Sequence, residues 1–98
     1  MEIIESSGNV FQDLGFSPEE AENLKVRSAL IVNVRNVIER RGLKQTEAAE
    51  LFGVTQPRIS DLVRGKVELF SIDCLVNMLA HAGLHVELSV REGENRAA

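Results

Sequence analysis

The chain has 98 residues, 44% of them hydrophobic and 27% charged, with a formal net charge of −4. That length holds one domain with one core, and the balance of apolar and charged residues is that of a folded chain rather than a disordered one. An acidic total argues against a general nucleic-acid binder, and apolar runs as short as Ala29 to Val32 are too short to span a bilayer.

Residues 1–16 read as an N-terminal extension. Ser6-Ser7-Gly8-Asn9 is turn-like, and Val10, Phe11, Leu14 and Phe16 form a short apolar segment expected to dock on the core. Its opening Met1-Glu2-Ile3-Ile4-Glu5 has no basic region ahead of an apolar stretch, so no secretory leader is expected. The domain proper is expected over 17–90. Ser17-Pro18-Glu19-Glu20 combines a capping serine, a proline suited to the first helical turn and the glutamate of a capping box. Ala21, Leu24, Leu30, Ile31, Val34, Val37 and Ile38 then recur at helical spacing. Arg40, Arg41 and Gly42 are a helix C-terminus with glycine in the left-handed position beyond it. A bend near Val26 to Ser28 and a continuous helix both fit this pattern.

Two short helices follow, one from about Gln45 to Phe52 and one from about Gln56 to Arg64, each ended by glycine. Thr55 is a good cap for the second, and Pro57 lies in its tolerant first turn. Another helix is expected from Ser71 to Gly83, with Phe70 able to staple onto Leu75. Leu84, Val86, Leu88 and Val90 then alternate with His85, Glu87 and Ser89, the period of a half-buried strand. Residues 91–98 are a polar tail.

Within Gln45 to Arg64, Ala49 lets two helices approach closely, and Gly53 suits a turn that needs positive φ. Ala48, Phe52, Val54, Ile59 and Leu62 are apolar where the pair must face the domain, whereas Gln45, Gln56, Arg58, Ser60, Asp61 and Arg64 point elsewhere. This is the pattern of a helix-turn-helix, whose second helix enters the DNA major groove. Charge agrees: Arg35 to Lys66 holds seven basic residues against four acidic ones, and the remainder holds four against eleven. The alternative reading of those cations is a solvated surface.

Gly42 through Leu69 resembles the Cro/cI-type (XRE) family of phage and bacterial repressors. From about Gly8 to Val90 the chain is similar to the HigA-type antitoxin branch of that family. The closer match rests on Gly8-Asn9-Val10-Phe11, Asp13-Leu14-Gly15-Phe16, Arg40-Arg41-Gly42-Leu43, Gln45, Glu47-Ala48-Ala49, Thr55-Gln56-Pro57-Arg58-Ile59-Ser60, Phe70-Ser71-Ile72 and Ala82-Gly83-Leu84-His85-Val86-Glu87-Leu88. One departure is Lys44, where family members usually carry a capping Ser or Thr, a loss of about 1 kcal/mol of helix stability.

The resemblance implies a mainly α, lambda repressor-like bundle that binds a palindromic operator as a dimer, represses its own operon and neutralises a small endoribonuclease toxin of the RelE/HigB kind. A cytoplasmic, nucleoid-associated chain follows, and the single Cys74 fits a reducing compartment. Thr55, Gln56, Arg58, Ser60 and Asp61 are the expected base-reading set, with Arg58 the candidate for guanine and Asp61 an alternative partner for Arg58 or Arg64. Lys44, Gln45, Arg64 and Lys66 are expected at phosphates. Ala49, Gly53, Val54, Ile59 and Leu62 hold the motif together. Leu84, Val86, Leu88 and Val90 are expected to pair with the same strand of a second copy, since an isolated strand leaves its backbone unpaired; the alternative is pairing near Val10 and Phe11.

His81, His85 and Cys74 are not at spacing that commits them to a metal, and no nucleophile, base and orienting group occur together, so neither cofactor nor enzyme activity is expected. Two further readings remain beside the antitoxin: a stand-alone XRE-type regulator with no toxin, and an adaptor that has lost DNA binding.

Overall fold

A computed structural model describes residues 10–93. Among the described residues five α-helices are formed: α1 Val10–Asp13, α2 Pro18–Arg40, α3 Gln45–Phe52, α4 Gln56–Val63 and α5 Ile72–His81, with a 3-10 turn at Val67–Leu69 between the last two.

α2 runs unbroken through the Val26 to Ser28 region and spans about 35 Å at 1.5 Å per residue. Its start is the capping box read in the sequence. Ser17 Oγ accepts from the Glu20 amide at 3.2 Å, and a Glu20 carboxylate oxygen accepts from the Ser17 amide at 3.3 Å. Helix α5 is capped similarly, with the Cys74 amide donating to Ser71 Oγ at 3.1 Å.

The core is one cluster. Leu30, Ile31, Val34 and Val37 of α2 meet Ala48, Ala49 and Phe52 of α3, Ile59 and Leu62 of α4, Phe70, and Leu75, Met78 and Leu79 of α5. The i, i+1, i+4, i+7 spacing of the α2 residues places them on one stripe, against which α4, the 3-10 turn and α5 pack, while α3 packs on α4 and α5. Phe52, Phe70, Ile59, Leu62, Leu75 and Val34 are the largest side chains buried completely.

Three features differ from expectation. The segment Val10 to Phe16 does lie against α2, as a single helical turn followed by a bend, yet it buries little of its own apolar surface. Phe11 and Phe16 stack edge to face with centroids 6.2 Å apart, while Val10, Leu14 and Phe16 stay exposed. Val67–Leu69 forms a 3-10 turn where the sequence reading had only a connection.

The expected strand at Leu84 to Val90 is not formed: the described residues contain no strand. Among the described residues that backbone finds no partner strand, because the alternative partner, Val10 and Phe11, is helical. The period-two pattern survives in burial. Leu84 and Val86 are half-buried against the core while His85 and Glu87 are exposed. Leu88 and Val90, next in that pattern, are 78% and 96% exposed.

Candidate nucleic-acid interface

Helices α3 and α4 are joined by Gly53, Val54 and Thr55. Gly53 has φ +70°, a left-handed conformation that side chains disfavour, and its amide closes the last turn of α3 onto Ala49 and Glu50. A β-carbon built on Gly53 would stand 2.9 Å from Cδ2 of His81. That ring is itself fixed. His81 Nδ1 lies 2.9 Å from the Leu51 carbonyl, and since a carbonyl only accepts, Nδ1 is the donor. The end of α5 therefore braces the turn between α3 and α4.

Ala48, Ala49, Phe52, Ile59 and Leu62 are buried as the motif requires, and Val54 is half-buried against the core. Burial of Ile59 and Leu62 fixes the rotation of α4. At about 100° per residue, the side opposite those two is centred on Pro57, Ser60, Asp61 and Arg64, with Gln56 at its edge. Thr55 holds the N-cap backbone of α4 in extended conformation, but its hydroxyl makes no capping bond. Thr55, Gln56 and Arg64 are exposed; Ser60 and Asp61 are half-buried.

A family model described as helix-turn-helix domain matches residues 10–91. This chain belongs to the helix-turn-helix domain family. A solved structure named "Putative XRE Family Transcriptional Regulator" superposes on this helix-turn-helix chain with a TM-score of 0.69 at 32% identity, covering 81% of this chain and 89% of that one. No curated protein gives a significant match.

In the helix-turn-helix frame α4 is the groove-facing helix and α3 crosses the backbone. Gln45 is the first residue of α3 and Lys44 its N-cap, both exposed. The lysine side chain has no acceptor, so it cannot cap. The glutamate three residues on makes the compensating bond: a Glu47 carboxylate oxygen accepts from the Lys44 amide at 2.8 Å. Lys66 sits 3.8 Å from Asp61, a partly exposed pair worth at most about 1 kcal/mol. Asp61 is thus engaged with Lys66, not with Arg58 or Arg64.

Arg58 is placed differently from its expected companions. Its guanidinium lies over the Phe70 ring, 4.2 Å from the centroid. Nη1 donates to the Leu69 carbonyl at 3.0 Å and Nη2 to Cys74 Sγ at 3.3 Å. The sequence reading missed Leu69, Phe70 and Cys74 as its partners and missed His81 as a brace. The available signal was angular: Arg58 stands about 200° round the helix from Gln56 and only about 40° from Leu62. Among the described residues no group of three or more His, Cys, Asp or Glu gathers as a metal site, and no helix is long and apolar enough to cross a membrane.

Proposed function

We propose that this helix-turn-helix chain is a sequence-specific operator-binding repressor of the XRE type and the antitoxin partner of a small HigB/RelE-type endoribonuclease. The carrying observation is α4. Its core side is buried through Ile59 and Leu62, leaving Ser60, Asp61 and Arg64 facing away from the domain with Gln56 at the edge of that side, and Lys44 and Gln45 at the start of α3 are exposed too. Gln56 is suited to adenine, Ser60 to either base type, and Thr55 to the groove edge, while Lys44, Gln45, Arg64 and Lys66 supply donors for phosphate.

Reading a palindrome needs two copies of α4 about 34 Å apart. Leu88 and Val90 stay largely exposed among the described residues, which supports a twofold dimer joined through residues Leu84 to Val90. A second apolar surface, Val10, Leu14 and Phe16 at the start of the chain, also stays exposed, which supports a protein partner in addition to DNA. The reading as a stand-alone regulator is favoured by the name and near-complete coverage of the structural neighbour.

Two measurements decide. The first titrates a labelled duplex carrying the chain's own promoter at several salt concentrations. A dimer meeting about six to eight phosphates gives a slope of log affinity on log salt of about −5 to −7. No promoter binding would leave the adaptor reading. The second is co-purification of a tagged copy expressed from its native locus. An equimolar small basic protein encoded next door is the expected result; DNA and self-association alone would select the stand-alone regulator.

A further inference from the structure

We propose that Arg58 is a positioning residue for the groove-facing helix, setting how Gln56 and Ser60 meet the bases without touching a base itself. The inference rests on α4 entering the groove and deepens that reading.

The rotation of α4 places Arg58 at the flank of the core, not on the outward side. There the side chain is held three times, by the Phe70 face, the Leu69 carbonyl and Cys74 Sγ. Its seat is rigid. Phe70 is wholly buried, and the next residue, Ser71, caps α5. Among the described residues no carboxylate pairs with Arg58, and the nearby acid of its own helix, Asp61, is taken by Lys66.

The guanidinium therefore spans from α4, which packs on α2 and α3, across to the segment that joins the 3-10 turn to α5, whose Phe70 belongs to the buried core. Extending to a guanine would give up all three contacts at once. Kept in place, they resist rotation of α4 about its axis, the motion that would re-aim Gln56 and Ser60 together.

The two roles leave different marks on specificity. A base reader, when removed, erases preference at one base pair of each half-site. A positioning residue, when removed, blunts every position and does so through its partners.

The test selects ligands from a pool of randomised 24-base-pair duplexes with the full chain, Arg58→Met, Phe70→Leu and the double variant, after circular dichroism shows each to be helical (the pool length is about two turns of DNA). The expected result is one motif for all four, weakened at every position in the three variants. The Arg58→Met affinity should fall about tenfold, the scale of one lost hydrogen bond from a charged donor. The double variant should be no worse than the weaker single one, since both substitutions break the same contact.

A second readout does not depend on Phe70→Leu folding. In the wild-type chain, proton resonances of the Arg58 side chain should carry the ring-current shift of Phe70 both free and with the selected duplex. Loss of that shift on adding duplex, or loss of preference at a single base pair in Arg58→Met, overturns the proposal and restores Arg58 as a base reader. A wild-type chain that enriches no motif overturns the groove reading itself, and the proposal with it.

Discussion

At the residue scale, the turn between α3 and α4 depends on two side chains far apart in sequence. Gly53 is in left-handed conformation, and the ring of His81 occupies the space its β-carbon would need. Gly53→Ala should cost about 1–2 kcal/mol from conformation alone, and the contact with a ring hydrogen-bonded to Leu51 adds to it. His81→Ala removes that ring and leaves the Leu51 carbonyl without its donor, about 0.5–1.5 kcal/mol. The double variant should then melt higher than the sum of the single losses implies, because the clash disappears with the ring. Additive losses in thermal melts would show that the ring moves aside freely. The glycine was legible beforehand, since positive φ after a short helix is a local demand. The histidine was not, because its role depends on α5 returning to the turn after some thirty residues. The contacts of Arg58 were hidden for the same reason: its partners lie 11 to 16 residues away.

At the element scale, helix ends show how the chain manages its backbone. Ser17 and Ser71 each accept from a first-turn amide, whereas Lys44 leaves that role to the glutamate at the third helical position. Restoring a side-chain cap with Lys44→Ser should raise stability by about 0.5–2 kcal/mol. If Lys44 meets a phosphate, the same substitution should make the salt slope of a dimer shallower by about 2. A higher melting temperature with an unchanged slope would remove Lys44 from the phosphate set. The helices themselves were readable, because caps, periodic apolar residues and terminating glycines are all local. The continuity of α2 was not, since it is settled by what packs on its middle: Leu30, Ile31 and Val34 are drawn into one core from a single straight stripe. The strand expected at Leu84 to Val90 marks the opposite limit. Alternation predicts which side chains turn inward but not whether the backbone has a neighbour to bond.

At the scale of the whole molecule, the dimer prediction turns on Leu88 and Val90, both largely exposed in one chain. Leu88→Lys with Val90→Lys should leave the melting of the helical core nearly unchanged yet give a monomer by mass in solution. Operator affinity should fall steeply, because the second half-site no longer adds to the first. A double variant that stays dimeric would place the twofold contact elsewhere. The unbroken α2 has a different consequence: it is a ruler. At one end stand α1 and the exposed Val10, Leu14 and Phe16; at the other, Arg40 and Arg41 lead into α3. A one-residue insertion near Asn23 would swing the N-terminal apolar surface about 100° around the axis, out of phase with the groove-facing helix. An insertion of seven would bring it back to within about 20° of its original side, roughly 10 Å farther out. Any partner that must reach that surface while the domain sits on DNA is thereby bound to the phase of this helix, and its length can change only by close to whole turns, about seven or eleven residues at a time.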